Sequence, residues 1–132
     1  MNNNTRFELS FKNITQLENK LNFCKLNNIK NINIPCKGLI KKELFNHSIN
    51  YISKNFIEFN VTYHYSLYHQ YSKNKNKSYK DFLDFIKNSY TNRNYEILLV
   101  SGSNKKKNFD SVDVLAYLKK EKNLKVRLGT NF

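Results

Sequence analysis

Five residues in one row carry the densest chemistry in this sequence. Across FIEFNVTYHYS (Phe56 to Ser66) the side chains alternate strictly. Ile57, Phe59, Val61, Tyr63 and Tyr65 fall on one side, and Glu58, Asn60, Thr62, His64 and Ser66 on the other. Such a period, rich in aromatic and β-branched types, predicts a strand. Its polar face offers a carboxylate, an amide, a hydroxyl and an imidazole. Thr62 and His64 sit toward the carboxyl end, where parallel α/β sheets build their sites. An imidazole there can donate a hydrogen bond to a phosphate or a ring edge. A strand with one solvated face reads the same way, and this segment alone does not separate the two.

Two further groups could act with His64. Glu8 lies in RFELSF, opposite Phe7, Leu9 and Phe11. Burial in a barrel interior would desolvate its carboxyl and favour a proton-donating role; on an edge strand it is an ordinary carboxylate. Ser101-Gly102-Ser103 directly follows an aliphatic strand, and small residues with free backbone N–H groups there admit a phosphate or ring closely. Lys105, Lys106 and Lys107 come next, as a solvated loop or as a counter-charge to a phosphate or an acidic tail. His47 and His69 read as surface residues. Cys24 and Cys36 form no CxxC and lack a histidine at metal spacing, so they read as buried free thiols, and no metal site is expected.

The elements that position these groups alternate. Strands are expected at Arg6 to Phe11, Lys30 to Ile34, Phe56 to Ser66, Tyr95 to Ser101 and from Leu124 onward. Helices are expected at Ile14 to Asn28, with Leu17, Leu21 and Cys24 on one stripe, and at Lys41 to Lys54. A third helix should open at Ser78, with Asp81 completing a capping box after a flexible loop from Tyr71 to Lys77. A fourth follows Asp110 or Ser111. The four aliphatics of YEILLVS predict a strand buried on both faces. The order β-α-β-α-β-α-β-α-β predicts right-handed crossovers and a parallel sheet in sequential order with its helices outside. Neither GxGxxG nor GxxxxGK[ST] occurs, which favours a barrel over an open nucleotide-binding sheet. Since a closed barrel needs eight strands, residues 1–132 are expected to form a single domain, the N-terminal part of a TIM-type barrel.

Composition bounds the partners. The chain has 132 residues and a formal charge of +13, with 23 Lys and Arg against 10 Asp and Glu. That excess invites a nucleic-acid reading. Only Arg6, Arg93 and Arg127 are arginines, however, and Asn, Lys, Ile and Tyr are enriched together, as the codon bias of an AT-rich genome produces. Nucleic-acid surfaces favour the arginine fork. No apolar run reaches the length of a membrane span, and MNNNTR lacks the apolar stretch of a secretory signal, so a cytoplasmic protein without a membrane partner is expected.

The runs VTYHYSL (Val61 to Leu67), ILLVSGSNKK (Ile97 to Lys106) with DSVDVL (Asp110 to Leu115), and LGTNF (Leu128 to Phe132) resemble the third, fourth and fifth strands of the methylenetetrahydrofolate reductase family, nearest its divergent reductase-like branch. FELSF fits the first strand and NINIP the second. The resemblance implies a flavin-dependent oxidoreductase of one-carbon folate metabolism, with FAD as cofactor and NAD(P)H supplying hydride in the complete enzyme. It implies that Glu8 is the proton donor to the folate, that His64 lies beside the flavin, and that Ser101, Gly102, Ser103 and Asn131 line the cofactor. Ser103 stands where the family carries an acidic residue, and Ser10 and Phe11 replace prolines. Strands six to eight are not in these 132 residues. An incomplete or degenerate copy is therefore expected, inactive alone and open to completion by more chain or by oligomerisation. The alternatives are a basic nucleic-acid-binding module and a non-catalytic interaction domain.

Overall fold

A computed structural model gives the fold, and it describes residues 6–36, 40–89, 95–100, 111–118, 120 and 128–131. Five strands, β1 (Arg6–Glu8), β2 (Asn31–Pro35), β3 (Asn60–Ser66), β4 (Tyr95–Val100) and β5 (Leu128–Asn131), alternate with four helices. These are α1 (Ile14–Leu26), α2 (Lys42–Asn55), α3 (Lys75–Ser89) and α4 (Ser111–Leu118). All four strand pairs are parallel and the sheet order is β1-β2-β3-β4-β5. Sequential order without reversal is that of a partial α/β barrel, and a doubly wound sheet would break it.

Register divides the sheet into two faces. Ile32, Val61 and Tyr95 are aligned, as are Ile34, Tyr63 and Ile97, and then Tyr65 and Leu99. All of these are buried, most to 1% exposure or less. They pack with Leu17, Leu21 and Cys24 of α1, Phe45, Ile49 and Ile52 of α2, Phe82, Phe85 and Ile86 of α3, and Val114 of α4 in one core. Aromatic rings fill its centre. Phe45 stacks on Phe85 at 5.6 Å, Tyr63 meets Phe85 edge-on at 5.9 Å, and Tyr65 meets it at 4.7 Å. The opposite face keeps Asn31, Asn33, Thr62, His64, Leu98 and Val100 half-buried and Glu8, Asn60 and Glu96 exposed.

Local chemistry sets the boundaries. The Asn13 side chain caps α1 by accepting from the Gln16 N–H at 2.8 Å. Asn28, at φ 56°, takes the left-handed conformation that ends it, close to the expected stop. Four expectations shift. β1 is shorter than Arg6 to Phe11, yet Leu9 and Phe11 still enter the core. β3 begins at Asn60 because Phe56 and Phe59 both turn into the core across a bend in which the Phe59 N–H meets the Phe56 carbonyl; strict alternation would have put them on opposite faces. α3 opens at Lys75, inside the expected loop, where the Asn74 side chain accepts from the Lys77 N–H at 2.8 Å. Ser78 is instead a buried residue of that helix, its Oγ accepting from the Ser72 N–H at 2.9 Å, so there is no Ser78–Asp81 capping box. Finally, β4 is buried on one face only, with Leu98 and Val100 half-open.

Candidate functional site on the uncovered face

Parallel register places Glu8, Asn33, Thr62 and Glu96 in one row of the uncovered face. One pleat toward the carboxyl ends lie Pro35, His64, Leu98 and Gly129, and beyond them Ser66, Val100 and Asn131. His64 therefore stands opposite the helix-covered Tyr63 and Tyr65, on the same face as Glu8. At ordinary strand spacing, Glu8 and Asn131 are each two strands and two residues from His64, roughly 12 Å between Cα atoms. Ser101, Gly102 and Ser103, with the three lysines after them, lie outside the described residues.

The lower part of this face is a hydrogen-bonded polar floor. Arg6 reaches across three strands. Its Nε donates to Asn33 Oδ1 at 2.8 Å, and its Nη2 donates to Thr62 Oγ1 at 2.6 Å and the Ile32 carbonyl at 3.2 Å. Asn60 Nδ2 donates to Asn31 Oδ1 at 2.9 Å. A planar guanidinium fits this task because its donors point in fixed directions. Glu8 is exposed, so the desolvation expected of it in a barrel interior is not imposed by the described residues. The upper part is less polar, and His64 lies between Pro35 and Leu98 in register.

A second group of polar residues lies where β2 and β3 leave the sheet. The Cys36 N–H donates to the His64 carbonyl at 3.0 Å, which ties the end of β2 to the histidine's backbone. Gln70, 2% exposed, donates from Nε2 to Cys36 Sγ at 3.1 Å and Asn46 Oδ1 at 3.4 Å. Lys42 Nζ donates to the Gln70 carbonyl at 3.2 Å and to Ser72 Oγ at 2.9 Å, and Ser72 Oγ in turn donates to Asp81 Oδ2 at 2.7 Å. Burial pushes the Cys36 thiol up, and the Gln70 amide, the Ser66 backbone and Lys42 only partly offset that. Burial also works against the Asp81 charge, but Ser72, Lys77 and Lys42 outweigh it and hold that carboxyl below its ordinary range.

Both cysteines are buried free thiols, as their spacing suggested. His47 and His69 are exposed, but His69 is not partnerless: its Nδ1 shares a 2.8 Å hydrogen bond with Ser66 Oγ. Neither the Arg6 fork nor the Gln70 group was apparent from sequence. Arg6, Asn33 and Thr62 each stood on the polar side of its own strand, but only the register brings them together. Gln70 sits in a segment with no period to show its burial. No described helix is long and apolar enough to cross a membrane, and among the described residues no three His, Cys, Asp or Glu side chains gather as a metal would require. Comparison with family models, with curated proteins and with solved structures finds no match to this chain.

Proposed function

We propose that this chain is the N-terminal part of a flavin-dependent barrel of the methylenetetrahydrofolate reductase type, in an incomplete or degenerate form. The observation that carries the reading is the placement of His64. It stands toward the carboxyl end of the central strand of a sequentially ordered parallel sheet, on the face opposite the described helices, with Glu8 on the same face. Brought to such a face, FAD would supply hydride transfer between NAD(P)H and a one-carbon folate. His64 would donate a hydrogen bond to the cofactor, flanked by Pro35 and Leu98, which limit water at that level. Asn131, at the end of β5, and Ser101, Gly102 and Ser103 would line the cofactor from neighbouring strands. Glu8 would hold the proton for the folate, and it needs cover from further strands or a second chain to exclude water.

The Arg6 hydrogen bonds favour this reading over a nucleic-acid module. The one arginine among the described residues is committed to Asn33, Thr62 and Ile32 within the fold, rather than presented to phosphate.

The test is flavin retention through gel filtration by the full gene product that carries these 132 residues. Retained yellow absorbance that is lost in His64→Ala supports the reading. A gene product that takes up no FAD overturns it. Residues 1–132 alone are expected to be colourless and inactive with flavin, nicotinamide and folate supplied, because catalysis on a barrel draws on loops from many strands.

A further inference from the structure

The amino ends of the strands carry large apolar side chains outside the core. Each helix runs back to this end, because every strand pair is parallel. Phe23 is 56% exposed and Leu26 84%, one turn apart at the end of α1, and Ile57 is 63% exposed in the bend before β3. Lys25 Nζ lies 3.5 Å from Glu58 Oε1, so the chain neighbours of that pair, Leu26 and Ile57, stand at the same place. The starts of β2 and β3 are tied together there, where the Asn60 N–H donates to the Lys30 carbonyl at 2.8 Å. A lone exposed leucine means little, but bulky apolar residues gathered at one end of a fold mark a contact site.

Charge decides the partner. Lys25, Lys54 and Lys87 occupy the last turns of α1, α2 and α3, Lys120 follows α4, and Lys30 stands exposed just before β2. Glu58 is paired with Lys25, and Glu8 and Glu96 lie one pleat further in, on the uncovered face. Helix dipoles favour lysine in a last turn, and an AT-rich genome favours lysine everywhere. Neither leaves Phe23, Leu26 and Ile57 in water. A second copy of the chain brings the same lysines and is repelled at a net charge of +13. Nucleic acid meets the charge but offers leucine and isoleucine no apolar bed. An anionic bilayer supplies both, an apolar interior for the side chains and counter-charge for the ammonium groups.

We propose that the amino end of the sheet docks on an anionic lipid bilayer, with Leu26 and Ile57 entering the interface and Lys30 and Lys54 meeting the headgroups. Lysine stems are long enough to lie along the apolar patch while their charges reach the headgroup oxygens. Such a contact needs no spanning helix, and none is found among the described residues. It leaves the carboxyl ends of the strands, where the flavin is proposed, turned away from the membrane, and it does not depend on that reading.

The experiment is flotation of the full gene product with vesicles of phosphatidylcholine and phosphatidylserine, against phosphatidylcholine alone. Saturable binding to the first and none to the second is expected. Lys30→Ala and Lys54→Ala should each weaken it about fivefold, the share of one lysine near a charged surface. Leu26→Asn combined with Ile57→Asn should weaken it about tenfold. Both side chains are exposed, so this variant keeps the fold. Lys12→Ala, between β1 and α1 at the opposite end of the sheet, should change nothing. Emission from a Leu26→Trp variant should shift to the blue with the mixed vesicles as the ring enters the interface. Equal binding to phosphatidylcholine alone, unaltered affinity in the Leu26 and Ile57 variant, equal weakening by Lys12→Ala, or an unshifted emission would each overturn the proposal. So would a dimer that Leu26→Asn dissolves, which would make the patch an interface between copies.

Discussion

Tyr63 provides the sharpest test of the packing. Its side chain is 1% exposed, between Phe45, Phe85 and Tyr95, and its hydroxyl has no hydrogen-bond partner among the described residues. A desolvated hydroxyl without a partner costs about 1–3 kcal/mol. Tyr63→Phe removes that cost and leaves a void of one oxygen, worth roughly 0.3 kcal/mol at about 24 cal/mol per Å³. The variant should be more stable by about 1 kcal/mol at pH 7, seen as a higher urea midpoint at unchanged slope. Alkaline pH gives a second reading. Burial, helped by the nearby Tyr95, pushes the Tyr63 phenol up, and burial does the same to Tyr65. The folded state thus keeps protons that the unfolded state releases above about pH 10. Each phenol's contribution is complete below pH 10 and lost as pH rises toward the raised value, by about 1.4 kcal/mol per pH unit. Lysine titration is common to both proteins and cancels in the comparison. The advantage of Tyr63→Phe should therefore grow to about 2.4 kcal/mol by pH 11. A variant less stable than the parent at pH 7, or a difference that stays flat from pH 10 to 11, would refute the buried, unpartnered hydroxyl.

Two other substitutions probe local determinants. Asn74→Ala removes the acceptor for the Lys77 N–H and should cost about 1 kcal/mol, with faster amide exchange in the first turn of α3; a stability loss below about 0.3 kcal/mol would show that this cap is idle. Arg6→Ala strips the fork that ties β1 across β2 and β3, and should cost about 1 kcal/mol after solvent screening of an exposed group. The Leu9 amide, bonded to the Asn33 carbonyl, should then exchange faster than the amides of β3.

Hydrophobic period revealed most of the architecture because each element has only one face to bury. Leu17, Leu21 and Cys24 could lie together only on a helix, and Val61, Tyr63 and Tyr65 only on a strand. The errors fall where side chains, rather than period, decide. Phe56 and Phe59 both reach the core from a bend, and a strict alternation can hide such a bend. Ser78 has the sequence form of a cap, but its hydroxyl serves the Ser72 backbone after Asn74 has already opened the helix. Register is a tertiary property, so the Arg6 fork and the alignment of Glu8 with Thr62 were beyond reach from any single segment.

The aliphatic run of β4 is the most instructive case. Its expected burial on both faces is met on one only, with Leu98 and Val100 half-open beside His64. Along this face, polarity falls from the amino to the carboxyl ends of the strands. Arg6, Glu8, Asn31, Asn33, Asn60, Thr62 and Glu96 occupy the lower rows, whereas Pro35, Leu98 and Val100 lie around the histidine above, with Ser66 and Asn131 the polar positions of the last row. A face meant only for water has no use for apolar residues confined to one end. A face meant to be covered at that end needs them there, because a dry surround strengthens a hydrogen bond from His64 to whatever it meets. The gradient is what a cover over the carboxyl half of the sheet would require, and under the proposed reading Glu8, in the polar row below, would act only once something covers it.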